Sequence, residues 1–462
     1  MAELTSDHQV GSWRTRLARR TWPLVMVLVM LTAGMVFMFA WLPLTNHRYS
    51  WDTGADLWGI FRGAHFVGWG YLGGIYTSPN GIVTFPGMPV LLAPVAVLGD
   101  HLHLTESSPT MLVARPTAGL ILQPIELLLA STVVFASDAL AERLHVSKKR
   151  RVPLCLLVAA IAWPTAAVWG HAEDALSMTF AIYAMVAMLD RRWSRFGWLL
   201  GFGIAMQPLV ALMLPLFIGA TPAGRRLLLA LRSVALPIAL VGVALAGNAG
   251  DTYRALVKQP TPPSLNHATP WVALAPRLTS SVARASKQLS APHGPGHLAL
   301  AGVVPGGHPM VLVAGGPGRL IDVIVALLFG LYVWRRPQPS VRLLWLAAAV
   351  LASRCCFEAV MTPYYLAPPL FLALVLASRQ GFRRFWPAAI ISLEVTVFAY
   401  HHLNPWVWWL PIVAGLAGIL ALGYPDDLTE PPESPPAAMG EPESVERDTQ
   451  SAEPDRLLEP AR

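Results

Sequence analysis

The apolar positions of this chain run in continuous blocks, not in the alternating stripes of soluble helices or strands. Most blocks approach the ~20 residues that carry a helix across a bilayer. The first covers Trp22–Leu42. A segment from Thr45 to about Thr84 follows, rich in Gly and aromatic residues. It is too polar to cross and too apolar for a free loop, so short helices lying at the interface are expected. Gly87–Leu98 is apolar but only about a dozen residues long, which predicts a segment that dips into the membrane without crossing. Further blocks run Ala118–Ala136, Pro153–Val168, Ala175–Leu189, Phe196–Ile218, Leu227–Leu245, Arg319–Trp334, Leu343–Phe357, Tyr364–Ala377, Trp386–Tyr400 and Trp406–Leu422. The pattern predicts an all-α, polytopic membrane protein with about 11–13 transmembrane helices.

Composition agrees. The chain is 54% hydrophobic and 13% charged, with mean hydropathy +0.49, whereas a soluble domain carries about 25% charged residues. The net charge of +7 is a sum of unlike parts. From Tyr424 onward there are 11 acidic and 3 basic residues, so the tail carries −8 and the rest +15. The positive charge sits in short clusters between apolar blocks: Arg14–Arg20, Glu142–Arg151, Arg191–Arg195, Arg225–Arg226, Arg335–Arg336 and Arg379–Arg384. This is the positive-inside pattern and not a nucleic-acid surface. It predicts a multi-pass protein of the cell's plasma membrane with both termini cytoplasmic. Residues 1–21 form a basic cytoplasmic segment, 22–423 the membrane domain, and 424–462 a disordered acidic tail rich in Pro, Glu, Ser and Asp. Outer loops are expected over about 43–117 and 247–318. No Ala-X-Ala site follows the first block, so the first helix is expected to be retained.

Basic clusters flank Phe196–Ile218 on both sides, and a single crossing would separate them. Gln207-Pro208 in its middle predicts a broken pair that goes out and returns. Cys155, Cys355 and Cys356 lie in or beside apolar blocks and no CxxC occurs, so neither a disulfide nor a zinc site is expected. No internal repeat is evident, which weakens a transporter reading.

With this layout the polar residues at block ends fall mostly on the outer side. They include Asp52, Asp56, Arg62 and His65, then Trp169-Gly170-His171-Ala172-Glu173-Asp174, Gln207, Asn266-His267, and Arg354 to Tyr365. Asp52 and Asp56 lie one helical turn apart; two close carboxylates raise each other's proton affinity, and Asp52 could equally cap the helix. His171, Glu173 and Asp174 suit substrate binding, or only the favourable end of a helix dipole. A divalent ion there is compatible with the spacing and not demanded by it; no metal or other cofactor is assigned. Arg354 with Tyr364 and Tyr365 could hold a phosphate, while Arg354 and Glu358, spaced i and i+4, could be a structural pair. Asn266 and His267 could line an outer cleft or be ordinary loop residues.

Several short motifs in sequence order resemble the polyprenyl-phosphate-sugar-dependent GT-C glycosyltransferases, above all the actinobacterial phosphatidylinositol mannoside mannosyltransferase branch. They are Asp56-Leu57-Trp58-Gly59-Ile60-Phe61 after the first helix, Thr84-Phe85-Pro86-Gly87, Gly170–Asp174, and Gln207-Pro208. The likeness spans roughly Trp22 to Leu422. Two departures stand out: TFPG replaces the usual Thr-Tyr-Pro-Pro, and Gln replaces Lys before Pro208. The resemblance implies a GT-C-type fold. It implies a sugar, expected to be mannose, moved from a polyprenyl-phosphate donor to a lipid or glycolipid acceptor outside the membrane, with inversion at the donor carbon. High-GC residue usage points to decaprenyl phosphate. Asp56 would be the base, with Asp52 beside it; Arg62, His65, His171, Glu173, Asp174, Gln207, Asn266 and His267 would bind substrate; Arg354, Tyr364 and Tyr365 would hold the phosphate. An arabinosyltransferase of the same superfamily and a lipid or solute transporter are the alternatives.

Overall fold

A computed structural model describes residues 20–41, 55–76, 84–103, 119–263, 266–278 and 312–426. Expectations for Asp52, for the acidic tail after Asp426 and for parts of both outer loops lie outside these residues. The described chain is helical: α1 Thr21–Val36, α2 Ala55–Gly68, α3 Gly87–His101, α4 Gly119–Arg143, α5 Lys148–Ala167, α6 Ala172–Leu189, α7 Trp193–Met206, α8 Leu214–Ala220, α9 Arg226–Gly247, α10 Ala249–Tyr253, α11 Gly318–Arg335, α12 Ser340–Phe357, α13 Ala367–Arg379, α14 Phe382–Phe398 and α15 Pro405–Leu422. Four two-residue strands and one isolated bridge, Thr261 to Val313, are the only β-structure among the described residues.

Among those residues seven helices are long and apolar enough to cross a membrane: α1 extended to Ala40, α4, α5, α6, α9, α12 and α15. The chain is an all-α, multi-pass membrane protein. Exposure sorts these helices radially. In α6, 78% of the apolar window is buried, against 22% in α9 and in α15. Leu227, Ile238, Val397 and Val407 turn more than half their surface outward, as expected of side chains whose solvent is lipid. α13 is buried along almost its whole length and forms the centre with α6.

Polar groups mark the two ends of the bundle. At one end Arg20 at the start of α1 meets Asp138 and Glu142 of α4. Arg151 of α5 donates to the same Asp138 at 2.7 Å, and Arg143 reaches Asp190 at 2.8 Å beyond α6. Arg150 donates to the carbonyls of Ser378 and Arg379 at the end of α13. These contacts bring Arg20, the Glu142–Arg151 cluster and the neighbours of the Arg191 and Arg379 clusters into one layer.

The predicted break at Gln207-Pro208 is present. α7 rises from the basic end and stops at Met206, where Gln207 is extended (φ −145°, ψ 120°). A 3-10 turn, Pro208–Met213, and α8 then run back. α8 packs on the far half of α11, with Gly330 against the backbone of Pro215. Arg226, just beyond α8, stacks on Trp334 of α11 at 4.1 Å. The returning limb therefore ends among the arginines it left. Proline has no amide hydrogen and clashes with a preceding helical turn, which is why the helix breaks there.

α3 holds 15 residues, about 22 Å of helix and short of a ~30 Å hydrocarbon core. It pairs with α2 in the opposite direction, His65 meeting Asp100 and Gly68 meeting Val97. The segments expected to be interfacial or dipping are thus helical and short. The second outer segment is stitched down by β1 (His267–Ala268) on β4 (Val360–Met361), antiparallel, with His267 opposite Met361. β2 (Arg277–Leu278) pairs with β3 (Leu312–Val313).

Candidate functional site

At the end opposite the arginine layer, a tight reversal joins α5 to α6. Gly170 adopts φ +72°, a conformation glycine takes without steric cost. The amide of His171 then donates back to Thr165 O at 2.8 Å, and that of Gly170 to Ala166 O at 3.1 Å, closing the end of α5. This delivers His171, Glu173 and Asp174 to the first turn of α6, where the helix dipole favours carboxylates. Glu173 and Asp174 are both 0% exposed, so they are not a solvated helix end.

Each of these side chains meets a residue distant in sequence. His171 Nδ1–H donates to Glu173 Oε1 at 2.5 Å, and Thr84 Oγ1 lies 3.4 Å from the same oxygen. Gln207 Nε2 donates to Asp174 Oδ1 at 3.1 Å. Glu126 Oε1 accepts from the amide of Ala172 at 3.2 Å. Gly87 makes the meeting of Thr84 with Gln207's neighbourhood possible: a Cβ there would strike the carbonyl of Ala205, and Met206 N would lie only 3.1 Å away.

The cluster continues through a pair of tyrosines. Tyr364 stacks on His171 with centroids 3.9 Å apart, and its neighbour Tyr365 carries Arg354 above its ring at 4.1 Å. Arg354 Nε is 3.3 Å from Glu358 Oε2, and Arg319 Nε is 3.0 Å from Oε1 of the same carboxylate. The i, i+4 structural pair is thus present, with a second arginine from α11. Arg354 also lies within electrostatic reach of Asp174 and Asp322, which joins the two parts of the cluster.

His267 lies on β1, which pairs with the Val360–Met361 strand shortly before Tyr364. Its ring lies between His402 (4.4 Å) and Trp408 (4.6 Å). Burial, and then the neighbouring His402, push its pKa down to about 4. Asn266, next to it, is half-buried.

The other predicted residues described lie on α2. Arg62 and His65 are both buried there. His65 pairs with Asp100 of α3 at 3.1 Å; burial lowers its pKa and Asp100 partly restores it. Asp56 occupies the first turn of α2, and its side chain lies outside what is described. Glu126 and Thr84 join the site although the sequence reading assigned them no role. The signal for Glu126 was present: an ionisable residue inside an apolar block is costly and marks a functional or paired position.

Chemically, the cluster is a buried, acid-rich group with an imidazole and two arginines. One oxygen each of Glu173 and Asp174 is buried without a hydrogen-bond partner among the described residues. Ligand atoms of His171, Glu173 and Asp174 lie within 4.8 Å of one another, so the three could hold a divalent cation. They could equally accept hydrogen bonds from substrate hydroxyls. The cavity formed by Trp345, Arg384 and Tyr424 belongs to the opposite end of the bundle and has no part in this site. No family model matches the chain, and no curated protein or solved structure matches it.

Proposed function

We propose that this chain is a membrane glycosyltransferase of the GT-C type, transferring a sugar, expected to be mannose, from a polyprenyl-phosphate donor to a lipid or glycolipid acceptor. The observation that carries this reading is convergence. Thr84, His171, Glu173, Asp174 and Gln207 come from three motifs that resemble that family, and they meet in one buried cluster. Positive-inside topology assigns the arginine layer to the cytoplasm and the cluster to the outer face. Beside the seven long helices, α11 (18 residues), α14 (17 residues) and α13 (13 residues, lengthened by the 3-10 turn Pro363–Leu366 before it) are read as three further crossings, and the α7–α8 pair as a re-entrant hairpin.

In this reading the acceptor hydroxyl attacks the anomeric carbon of the donor. The bond from that carbon to the phosphate oxygen breaks, and the acceptor proton passes to the carboxylate of Asp56. Inversion follows from the single displacement. Glu173, Asp174 and His171 hold sugar hydroxyls, and Arg354, oriented by Tyr365 and Glu358, balances charge on the leaving phosphate. Asp56→Ala, checked for folding by thermal unfolding, is expected to lose at least ~100-fold of transfer, the usual lower range for a general base. Transfer at wild-type rate by that variant would remove Asp56 from the mechanism.

A lipid or solute transporter is the second reading, favoured by the Gln207-Pro208 break and the buried Arg354. It predicts movement of substrate with no new glycosidic bond.

A further inference from the structure

A second polar site lies at the opposite end of the bundle, between the starts of α7 and α9. Arg192 and Arg195 converge there with Arg225 and Arg232 on a pocket of about 410 Å³, with Trp193 and Leu229 among its walls. No carboxylate lines it, and none of the four arginines has an acidic partner among the described residues. This sets them apart from Arg20, Arg143, Arg151 and Arg384 at the same end, each of which meets a carboxylate. Four guanidinium groups around one hollow repel one another unless an anion lies between them.

Two further observations point to that anion. Both helices begin at the pocket without a capping side chain, at Arg192 and at Arg225. No side chain occupies either helix start, although the Arg226 amide donates to Ala223 O, and a helix start favours negative charge. Arg232 belongs to the second turn of α9, inside a membrane span, and is half-buried. A Cβ on Gly201 of α7 would come within 2.7 Å of its carbonyl, so the two helices touch just past the pocket and close its floor. Beside the pocket Leu227, Leu231 and Trp198 are 73%, 54% and 44% exposed, an apolar flank facing the acyl-chain region.

We infer that this pocket binds the phosphate headgroup of an anionic phospholipid, with its acyl chains lying along the exposed leucines of α9. A basic hollow between transmembrane helices has the charge and depth such headgroups need. The site is independent of the sugar-transfer reading.

The test is thermal unfolding of the delipidated full-length protein in neutral detergent, with phosphatidylglycerol, phosphatidylcholine or inorganic phosphate added. Phosphatidylglycerol is expected to raise the unfolding temperature by a few degrees, and phosphatidylcholine to leave it unchanged. The double variant Arg195→Gln/Arg232→Gln is expected to lose the response. Arg335→Gln/Arg336→Gln, at the same end but outside the pocket, is expected to keep it. An equal response in the pocket variant, or none in the wild-type protein, overturns the site. A full response to inorganic phosphate alone overturns the lipid assignment.

Discussion

Gln207 and His267 show how single side chains hold the cluster, and both permit direct tests. Gln207 supplies the hydrogen bond to Asp174 Oδ1. Gln207→Leu leaves that buried oxygen without a donor and is expected to cost about 1–3 kcal/mol. Gln207→Lys keeps a donor and adds a charge opposite the carboxylate, so it should retain stability. Thermal unfolding of the two variants separates these outcomes; an unchanged leucine variant would mean that Asp174 does not depend on Gln207. His267 titrates near 4 in the folded protein against about 6.5 when exposed. The unfolded chain therefore binds more protons between those values, and stability falls as pH drops from about 6.5 toward 4. Scanning the unfolding temperature over that window should show the loss, and His267→Phe should flatten it. Gly170, Glu173, Asp174 and Gln207 were legible in the sequence because each breaks an apolar pattern. The stacking of His267 on Trp408, 141 positions later, was not, since no local pattern encodes which rings meet across a fold.

At the scale of elements, the α7–α8 hairpin follows from one charge argument. Two arginine clusters had to share a side, and only a proline with a polar neighbour offered a turning point. The structure brings Arg192, Arg195 and Arg225 around one pocket, as that argument requires. Cysteine labelling with a membrane-impermeant reagent tests it in a bilayer. Ser194→Cys and Gly224→Cys should react from the same side, and His402→Cys from the other. Labelling of positions 194 and 224 from opposite sides would replace the hairpin by a crossing. Element ends were harder to read. The first block, Trp22–Leu42, is an α-helix only to Val36 and then widens into a π-helical turn, Phe37–Trp41. Uniformly apolar sequence carries no signal for such a change in pitch.

For the molecule as a whole, polarity is divided between the two ends. Arginines paired with helix-end carboxylates and carbonyls form one layer, and a buried acidic cluster with its two arginines forms the other. The first was legible because charge clusters between apolar blocks report membrane orientation. The second was legible only as a set of separate motifs. Its assembly depends on long-range contacts: Thr84 with Glu173, Gln207 with Asp174, and strand β1 with β4. Such contacts follow from how helices of particular length and tilt pack, which apolar blocks do not specify. The proposed activity concerns this second layer. The most direct measurement is transfer of radiolabel by the purified full-length protein from polyprenyl-phosphate-mannose to a membrane lipid extract. A new labelled glycolipid is the predicted result, and transfer from the arabinose donor instead would change the sugar alone. Folded protein that transfers from neither donor, yet moves labelled lipid or solute across a vesicle membrane, would contradict the account.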